Sequence, residues 1–379
     1  MTPDPRTPDP ATPDPAPDPS APDPDTPDPA TTTPDPATFL SGDAGDVTDP
    51  WRRVKRTAGE LAFTAIDTLT GTRRRATRLA RDTHQRDVLV LGVYRPGSFM
   101  PAALPALHSE AHNVRIALGS TGPAESSLRR YTIAENMSGG KFENLNRLLA
   151  AAAAGSDPDA ASAPAPGGAG ERRALRAGTS VTFPSIGPQS DRTPPSPRPF
   201  GDSDDADAAP ARGPSTQAGP DWLLVVDDDV RLPKQFVDRF VAVCEAFDLD
   251  LAQPAQTLRS HSAWKVTRRR PASLVRETRF VEIGPVTAFS SRAAAELLPF
   301  PELRYGWGLD LHWAALAGQR GWRLGIVDAL PVRHESSPVG AAYSREDAQF
   351  EAARFLADRP YLPSVRATEV LAVHRRARG

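Results

Sequence analysis

From residue 87 onward, continuous apolar runs alternate with stretches whose apolar residues recur at helical spacing. Residues 87–94 (DVLVLGVY) form an apolar run that ends in Arg95-Pro96-Gly97, which predicts a buried parallel strand followed by a loop. An Ala- and Leu-rich stretch to about residue 112 predicts a crossover helix, and residues 113–118 (NVRIAL) predict a second strand. Together they predict the βαβ unit that opens an α/β sheet.

The same alternation resumes after residue 219. Residues 222–226 (WLLVV) predict a buried strand that runs directly into Asp227, Asp228 and Asp229, and an amphipathic helix follows. Residues 139–146 (GGKFENLN) lead into a helix at 147–154, and residues 323–327 (RLGIV) predict a late strand. We therefore predict an α/β domain over residues 87–379, with a mainly parallel central sheet.

Two segments have compositions that oppose packing. Residues 1–50 hold seven Pro-Asp-Pro units, and their 11 Asp against one Arg give a net charge of −10. Residues 155–219 are rich in Ala, Pro, Gly, Asp and Ser and interrupt the domain. Few apolar side chains are present to offset the entropy of ordering, so we predict a disordered acidic tail and a flexible insertion.

Residues 51–86 are basic, with ten Lys or Arg against three acidic residues. Apolar positions recur at helical spacing from residue 51 to about 82, which predicts an amphipathic helix: Trp51, Val54, Ala58, Leu61, Ala62, Ala65, Ile66 and Leu69. Such a helix could lie on an anionic membrane surface. The interpretation we favour is that it packs on the α/β domain or pairs transiently with the acidic tail.

Charge and composition exclude several classes of function. The net charge of −2 leaves about +1 for the residues after 86, which argues against a general nucleic-acid-binding surface. The single cysteine, Cys244, offers neither a disulfide framework nor a cysteine-ligated metal site. No apolar run reaches about 18 residues. These features predict a soluble cytoplasmic protein that has at most peripheral contact with a membrane.

The three consecutive aspartates are the strongest candidate for chemistry. They follow a strand at the edge of the sheet where open α/β folds bind ligands. Because three like charges repel one another, a hard divalent cation such as Mg²⁺ or Mn²⁺ would stabilise them and could also bind a diphosphate. The alternative is a solvated acidic turn. A phosphatase with an aspartyl nucleophile is disfavoured, since Arg231 stands where such enzymes usually carry Thr.

Two further candidates follow along the chain. In Gly306-Trp307-Gly308-Leu309-Asp310, a close-approach turn precedes a helix predicted at 311–317. The helix dipole at that position would stabilise ionised Asp310 as a base, although simple capping is the alternative. His334 follows the late strand, about 100 residues after the aspartates, and His312 could compete with either group for its role.

This order of motifs resembles the GT-A glycosyltransferases, whose fold is Rossmann-like. More narrowly, three segments resemble a family that includes plant proteins labelled lysine-ketoglutarate-reductase trans-splicing related. The segments are residues 262–269 (SAWKVTRR), 280–283 (FVEI) and 305–310 (YGWGLD). The similarity covers residues 88–337 without the insertion.

The resemblance implies a metal-dependent glycosyltransferase that uses a UDP- or GDP-sugar and an acceptor hydroxyl. It implies that Asp227 and Asp228 contact the nucleotide, and that Mn²⁺ or Mg²⁺ binds Asp229 and His334, with Asp227 also open as a metal ligand. It further implies that Asp310 is the base of an inverting reaction. Two donor-binding residues precede the insertion, Lys141 and Asn144, and three arginines could neutralise phosphate, Arg268, Arg269 and Arg270.

Two other functions remain open from the sequence. A nucleotidyltransferase shares the sheet and the carboxylate-bound metal, but Arg95-Pro96-Gly97-Ser98 is a poor version of its Gly-rich basic loop. A non-catalytic sugar- or protein-binding relative would keep the fold and lose the metal. The presence of Asp227, Asp229, Asp310 and His334 argues against that second alternative.

Overall fold

The computed structural model describes residues 49–154, 219–335 and 344–377. The predicted acidic tail, except residues 49 and 50, and the predicted insertion, except residue 219, lie outside this part of the chain. Described residues up to 152 and from 219 onward belong to one compact unit.

The helices and strands of the described residues follow in chain order. The helices are α1 (Pro50–Thr70), α2 (Thr72–Arg81), α3 (Met100–Leu107), α4 (Lys141–Ala154), α5 (Phe236–Ala246), α6 (Ser291–Leu297), α7 (Leu309–Arg320), α8 (Arg345–Leu356) and α9 (Ser364–Ala367). The strands are β1 (Asp87–Tyr94), β2 (Asn113–Ser120), β3 (Thr132–Ala134), β4 (Trp222–Val226), β5 (Val230–Arg231), β6 (Leu251–Gln256), β7 (Val275–Thr278), β8 (Val286–Ser290), β9 (Leu324–His334) and β10 (Val370–His374).

One mixed sheet organises the unit, in the order β10-β7-β9-β6-β8-β4-β1-β2-β3, with β5 paired to β9. Strands β3, β2, β1 and β4 are parallel, as the opening βαβ unit predicts, and β6 is parallel to β9. Strand β8 is antiparallel to both β4 and β6, and β7 is antiparallel to β9 and β10. The α/β class is confirmed, and the sheet is parallel from β3 to β4 and mixed beyond β4.

Helices cover both faces of this sheet. In β1, Leu89 and Leu91 pack in a cluster with residues of α4, α6 and α7. Val88 and Val90 point to the opposite face and pack with residues of α2, α3 and α5. Because successive side chains of a strand alternate between faces, a strand that is covered twice must be apolar throughout. The continuous runs in β1 and β4 are explained by this double burial.

Element ends differ from the predicted ones at two places that matter for the site. Helix α4 begins at Lys141, since Glu143 accepts a hydrogen bond from the Gly140 amide (2.9 Å) and caps the first turn. Strand β9 continues to His334, so this histidine ends the strand and does not follow it. Both shifts place a predicted site residue on a regular element.

The predicted basic helix is two helices, because Gly71 adopts a left-handed conformation (φ 70°) between α1 and α2. Helix α2 packs against α5, which agrees with the expected contact with the α/β domain. Helix α1 also contacts the domain, and it does so through its polar side, where Glu60 and Asp67 pair with Arg269. Within the described residues, no helix combines the length and apolar character that crossing a bilayer requires.

Candidate active site at the end of strand β4

The three aspartates after β4 each pair with a different basic side chain. Lys141 Nζ lies 2.6 Å from Asp227 Oδ1. Arg95 Nε lies 3.0 Å from Asp228 Oδ2, and His334 Nε2 lies 3.0 Å from Asp229 Oδ1. The predicted repulsion among the aspartates is therefore offset by three cationic groups from three separate parts of the chain.

Short strand β5 brings His334 to the aspartates. Val230 pairs with His334 in the β5–β9 ladder, and the Glu335 amide donates to the Asp229 carbonyl (2.9 Å). On the far side of the imidazole, His334 Nδ1 donates to the His261 carbonyl (2.9 Å). That contact directs Nε2 toward Asp229, as outer hydrogen bonds commonly do for metal-binding histidines.

Asp227, Asp229 and His334 together form a candidate set of ligands for a cation. One ligand atom from each of Asp227, Asp229 and His334 lies within 4.8 Å of the other two. Two carboxylates and an imidazole suit a divalent ion such as Mn²⁺, and the outer bond from His261 supports the same arrangement. The residues present therefore fit the expected metal.

Burial and neighbouring charges shift the ionisation of this group. Burial raises the pKa of Asp227, and the charge of Lys141 opposes this rise. For His334, burial opposes protonation, but the hydrogen bond and charge of Asp229 outweigh burial and raise the pKa to about 9. A positive charge is thus favoured at His334, beside Asp229 and Asp227.

A cavity of about 280 Å³ opens beside the aspartates. Its lining joins the ends of β1 and β4 to the start of α4: Val93, Arg95, Thr121, Gly139, Lys141, Asn144, Leu145, Val225, Val226, Asp227, Asp228, Asp229 and His334. The expected metal ligands and the expected donor residues Lys141, Asn144 and Asp228 line this cavity, whereas Arg268, Arg269 and Arg270 do not. Its volume is slightly below the roughly 300–1,000 Å³ of pockets for drug-sized ligands.

Asp228 has a structural partner that the sequence does not indicate. Both of its carboxylate oxygens accept hydrogen bonds from Arg95, at 2.8 Å from the backbone amide, 3.0 Å from Nε and 3.1 Å from Nη2. Its own carbonyl accepts from the Phe99 amide at 2.8 Å. Asp228 thus holds the loop after β1, and it also lines the cavity.

Asp310 lies outside the cavity lining. It is 6% exposed in the first turn of α7, where its Oδ1 accepts from the Leu311 amide (2.9 Å). Burial raises its pKa to about 7, although backbone amides including that of Ile283 lower it. Loss of hydration therefore opposes the ionisation of Asp310 that the helix dipole is expected to favour.

Glu282 is a buried acid that sequence reasoning missed. Gln256 Nε2 donates to its carboxylate (2.9 Å), and Gln253 accepts from its backbone amide. Burial, followed by the charge of Asp310, raises its pKa to about 8. The adjacent Ile283 carbonyl accepts from Lys141 Nζ (3.3 Å), so this segment connects the two acids to the cavity. The available signal was one charged residue within the apolar segment FVEI.

Other predicted candidates have structural roles. His312 Nδ1 contacts the Pro360 carbonyl at 2.7 Å, and its ring lies edge-on to Phe355, so it faces the C-terminal segment. The Arg269 side chain is 0% exposed and forms ion pairs with α1. The expectation that Arg269 neutralises phosphate is wrong, because its charge is already matched inside the protein.

The Gly-Trp-Gly turn before Asp310 is a close-approach turn, as predicted. Gly306 has φ 78°, and a Cβ added there would overlap the Phe142 ring. Glu351 accepts hydrogen bonds from the Tyr305 and Gly306 amides, both at 2.9 Å. The turn therefore fixes α7, and with it Asp310, against α4.

Fold and site together define an α/β protein with a mixed sheet and a candidate acidic metal centre at the end of a central strand. Neither the protein-family models nor the curated proteins compared with this chain match it.

Proposed function

We propose that the protein is a metal-dependent glycosyltransferase that moves a sugar from a nucleotide-sugar donor to an acceptor hydroxyl. The observation that carries the proposal is the meeting of Asp227, Asp229 and His334 with Lys141 at one cavity. These residues come from the turn after β4, from β9 and from α4, which lie far apart in sequence. This grouping of metal ligands with a lysine supports the proposal.

The basic and acidic groups of the cavity divide between the donor and the cation. Lys141 pairs with Asp227 in this structure, and it would contact a diphosphate once a cation takes its position beside the carboxylate. Asn144, about one turn further along α4, also lines the cavity. A bound Mn²⁺ or Mg²⁺ would stabilise the negative charge of the leaving diphosphate.

Asp310 is the proposed base for the acceptor hydroxyl. A base works best when its pKa is near the working pH, and burial raises the pKa of Asp310 to about 7. Glu282 stays protonated at neutral pH, since its pKa is about 8. The proton on Glu282 limits the repulsion that an ionised Asp310 would otherwise meet. These assignments apply to an inverting reaction.

The test is the melting temperature of the protein with UDP-, GDP-, CMP- and dTDP-sugars, each with and without Mn²⁺. A ligand that binds only the folded state raises this temperature. We expect one nucleotide sugar to raise it only when Mn²⁺ is present. Asp229→Asn should remove that effect, whereas Asp358→Asn, on an exposed carboxylate outside the cavity lining, should keep it.

Two outcomes would count against the proposal. A shift with a plain nucleoside triphosphate and Mg²⁺, but with no sugar nucleotide, would identify a nucleotidyltransferase. No effect of any cation would mean that Lys141, Arg95 and His334 alone neutralise the aspartates. The cluster would then be a set of salt bridges, and metal-dependent transfer would be excluded.

A further inference from the structure

The apolar residues of α1 share one face, and this face is turned to solvent. At about 100° per residue, they occupy an arc of about 140°: Trp51, Val54, Ala58, Leu61, Ala62, Ala65, Ile66 and Leu69. All eight are exposed. The largest exposed fractions are 86% for Leu69, 82% for Trp51 and 68% for Leu61. A helix that packed by the hydrophobic effect alone would present the opposite face to water.

Buried ion pairs hold α1 in this orientation. Glu60 and Asp67, on the other side of the helix, both pair with Arg269, whose side chain is 0% exposed. Asp67 also accepts from the Ala272 amide (2.8 Å), and Glu60 accepts from the Leu258 amide (2.9 Å). Turning the apolar face inward would leave Arg269 buried without these partners, which costs several kcal/mol.

The charge beside the apolar face indicates what covers it. Exposed Arg52 borders the face and exposed Lys55 lies within its arc, and Arg73 and Arg74 are exposed at the start of α2. A second copy of the chain would bring the same excess positive charge of residues 51–86 against itself. The acidic residues 1–48 match the charge, but they hold few large apolar side chains to cover the face. An anionic bilayer satisfies both requirements, since its headgroups are negative and its acyl region is apolar.

We propose that α1 docks on an anionic membrane surface through this apolar face. Leu258, whose amide donates to Glu60 of α1, lies in the loop after β6. In the same loop, Ser260 Oγ accepts from the His334 amide (3.1 Å) and the His261 carbonyl accepts from the His334 ring (2.9 Å). The docked helix therefore lies next to the loop that orients a predicted metal ligand. The proposal stands on α1 and is independent of the sugar-transfer chemistry.

Trp51 is a natural reporter for this contact. Of the six tryptophans, it alone is exposed, and the other five are at most 9% exposed. We would measure quenching of fluorescence by iodide in the full chain, with phosphatidylcholine vesicles and with vesicles that also contain phosphatidylserine. Docking should blue-shift the Trp51 emission and protect it from iodide with the anionic vesicles only. Added salt should weaken the effect, because surface charges are then screened.

Variants separate the apolar and the charged contributions. Leu61→Ser combined with Leu69→Ser should weaken vesicle binding at least roughly tenfold, because two apolar side chains no longer leave water. Lys55→Gln should weaken it about fivefold, the value of one basic charge near an anionic surface. The matched control is Phe350→Ser with Val365→Ser, which changes two exposed apolar residues elsewhere (66% and 79% exposed) and should leave binding unchanged.

Three results would overturn the proposal. Trp51 could remain open to iodide at every vesicle concentration, or the control pair could weaken binding as much as the Leu61 and Leu69 pair. Trp51 could also be shielded without vesicles while sedimentation shows a dimer. In that case the face would be an interface between two copies of the chain.

Discussion

Replacing Asp310 by asparagine should make the folded protein more stable, and increasingly so as the pH rises. Burial raises the pKa of Asp310 from 3.8 to about 7. Below about pH 4 the carboxyl group is protonated in both the folded and the unfolded state, so its ionisation contributes nothing. Between these two pKa values the unfolded chain releases the proton while the folded chain retains it. The free energy of unfolding of the wild type therefore falls through this window.

The size of the effect follows from the shift. About 3 pKa units at about 1.4 kcal/mol each give about 4 kcal/mol above pH 7. This is a large part of the roughly 5–15 kcal/mol that stabilises a typical domain. The asparagine side chain of the variant does not titrate and keeps an oxygen for the Leu311 amide, so the variant avoids the cost of ionising a buried group.

The assay is urea unfolding of both proteins at several pH values between about 4 and about 8. The difference in free energy of unfolding between Asp310→Asn and wild type should grow with pH by up to about 4 kcal/mol. Because the charge of Asp310 also raises the pKa of Glu282, the comparison is repeated in a Glu282→Gln background. A difference that stays constant with pH in both backgrounds would refute the assignment of a raised pKa to Asp310.

Four further predictions concern the site and its support. If Asp310 is the base, kcat of transfer should rise with pH to a plateau above about 7. Asp310→Asn should keep donor binding while losing turnover. Near-normal turnover of that variant would contradict the role of Asp310 as the base. Asp229→Ala should abolish the Mn²⁺-dependent rise in melting temperature. Asp67→Ala should lower the free energy of unfolding by about 3 kcal/mol or more in urea titration, because buried Arg269 loses a partner. Gly306→Ala should lower the free energy of unfolding by about 3 kcal/mol in the same urea titration, because of left-handed backbone strain and overlap with the Phe142 ring. An unchanged urea midpoint would contradict the close approach of Gly306 to Phe142.

Strands that are buried on both faces could be predicted, and a strand with buried polar residues could not. Strand β4 is continuously apolar because helices cover both of its sides, so its pattern alone identifies it. Strand β6 is equally buried, yet its sequence (LAQPAQ) contains Gln253 and Gln256. Both glutamines bond to Glu282 in the interior, a function that local pattern does not reveal.

The sequence by itself determined the α/β class, the opening βαβ unit and the position of three carboxylates at a strand end. Hydrophobic periodicity reports these features because it depends on neighbours along the chain. Only the tertiary structure decided that Asp229 contacts His334, that α1 turns its apolar face to water, and that burial raises the pKa of Asp310. Each of these depends on residues far apart in sequence: the β5–β9 pairing, the buried charge of Arg269 and the loss of hydration around Asp310. Contacts of that kind carry no periodicity, and their energies arise only when the elements pack together.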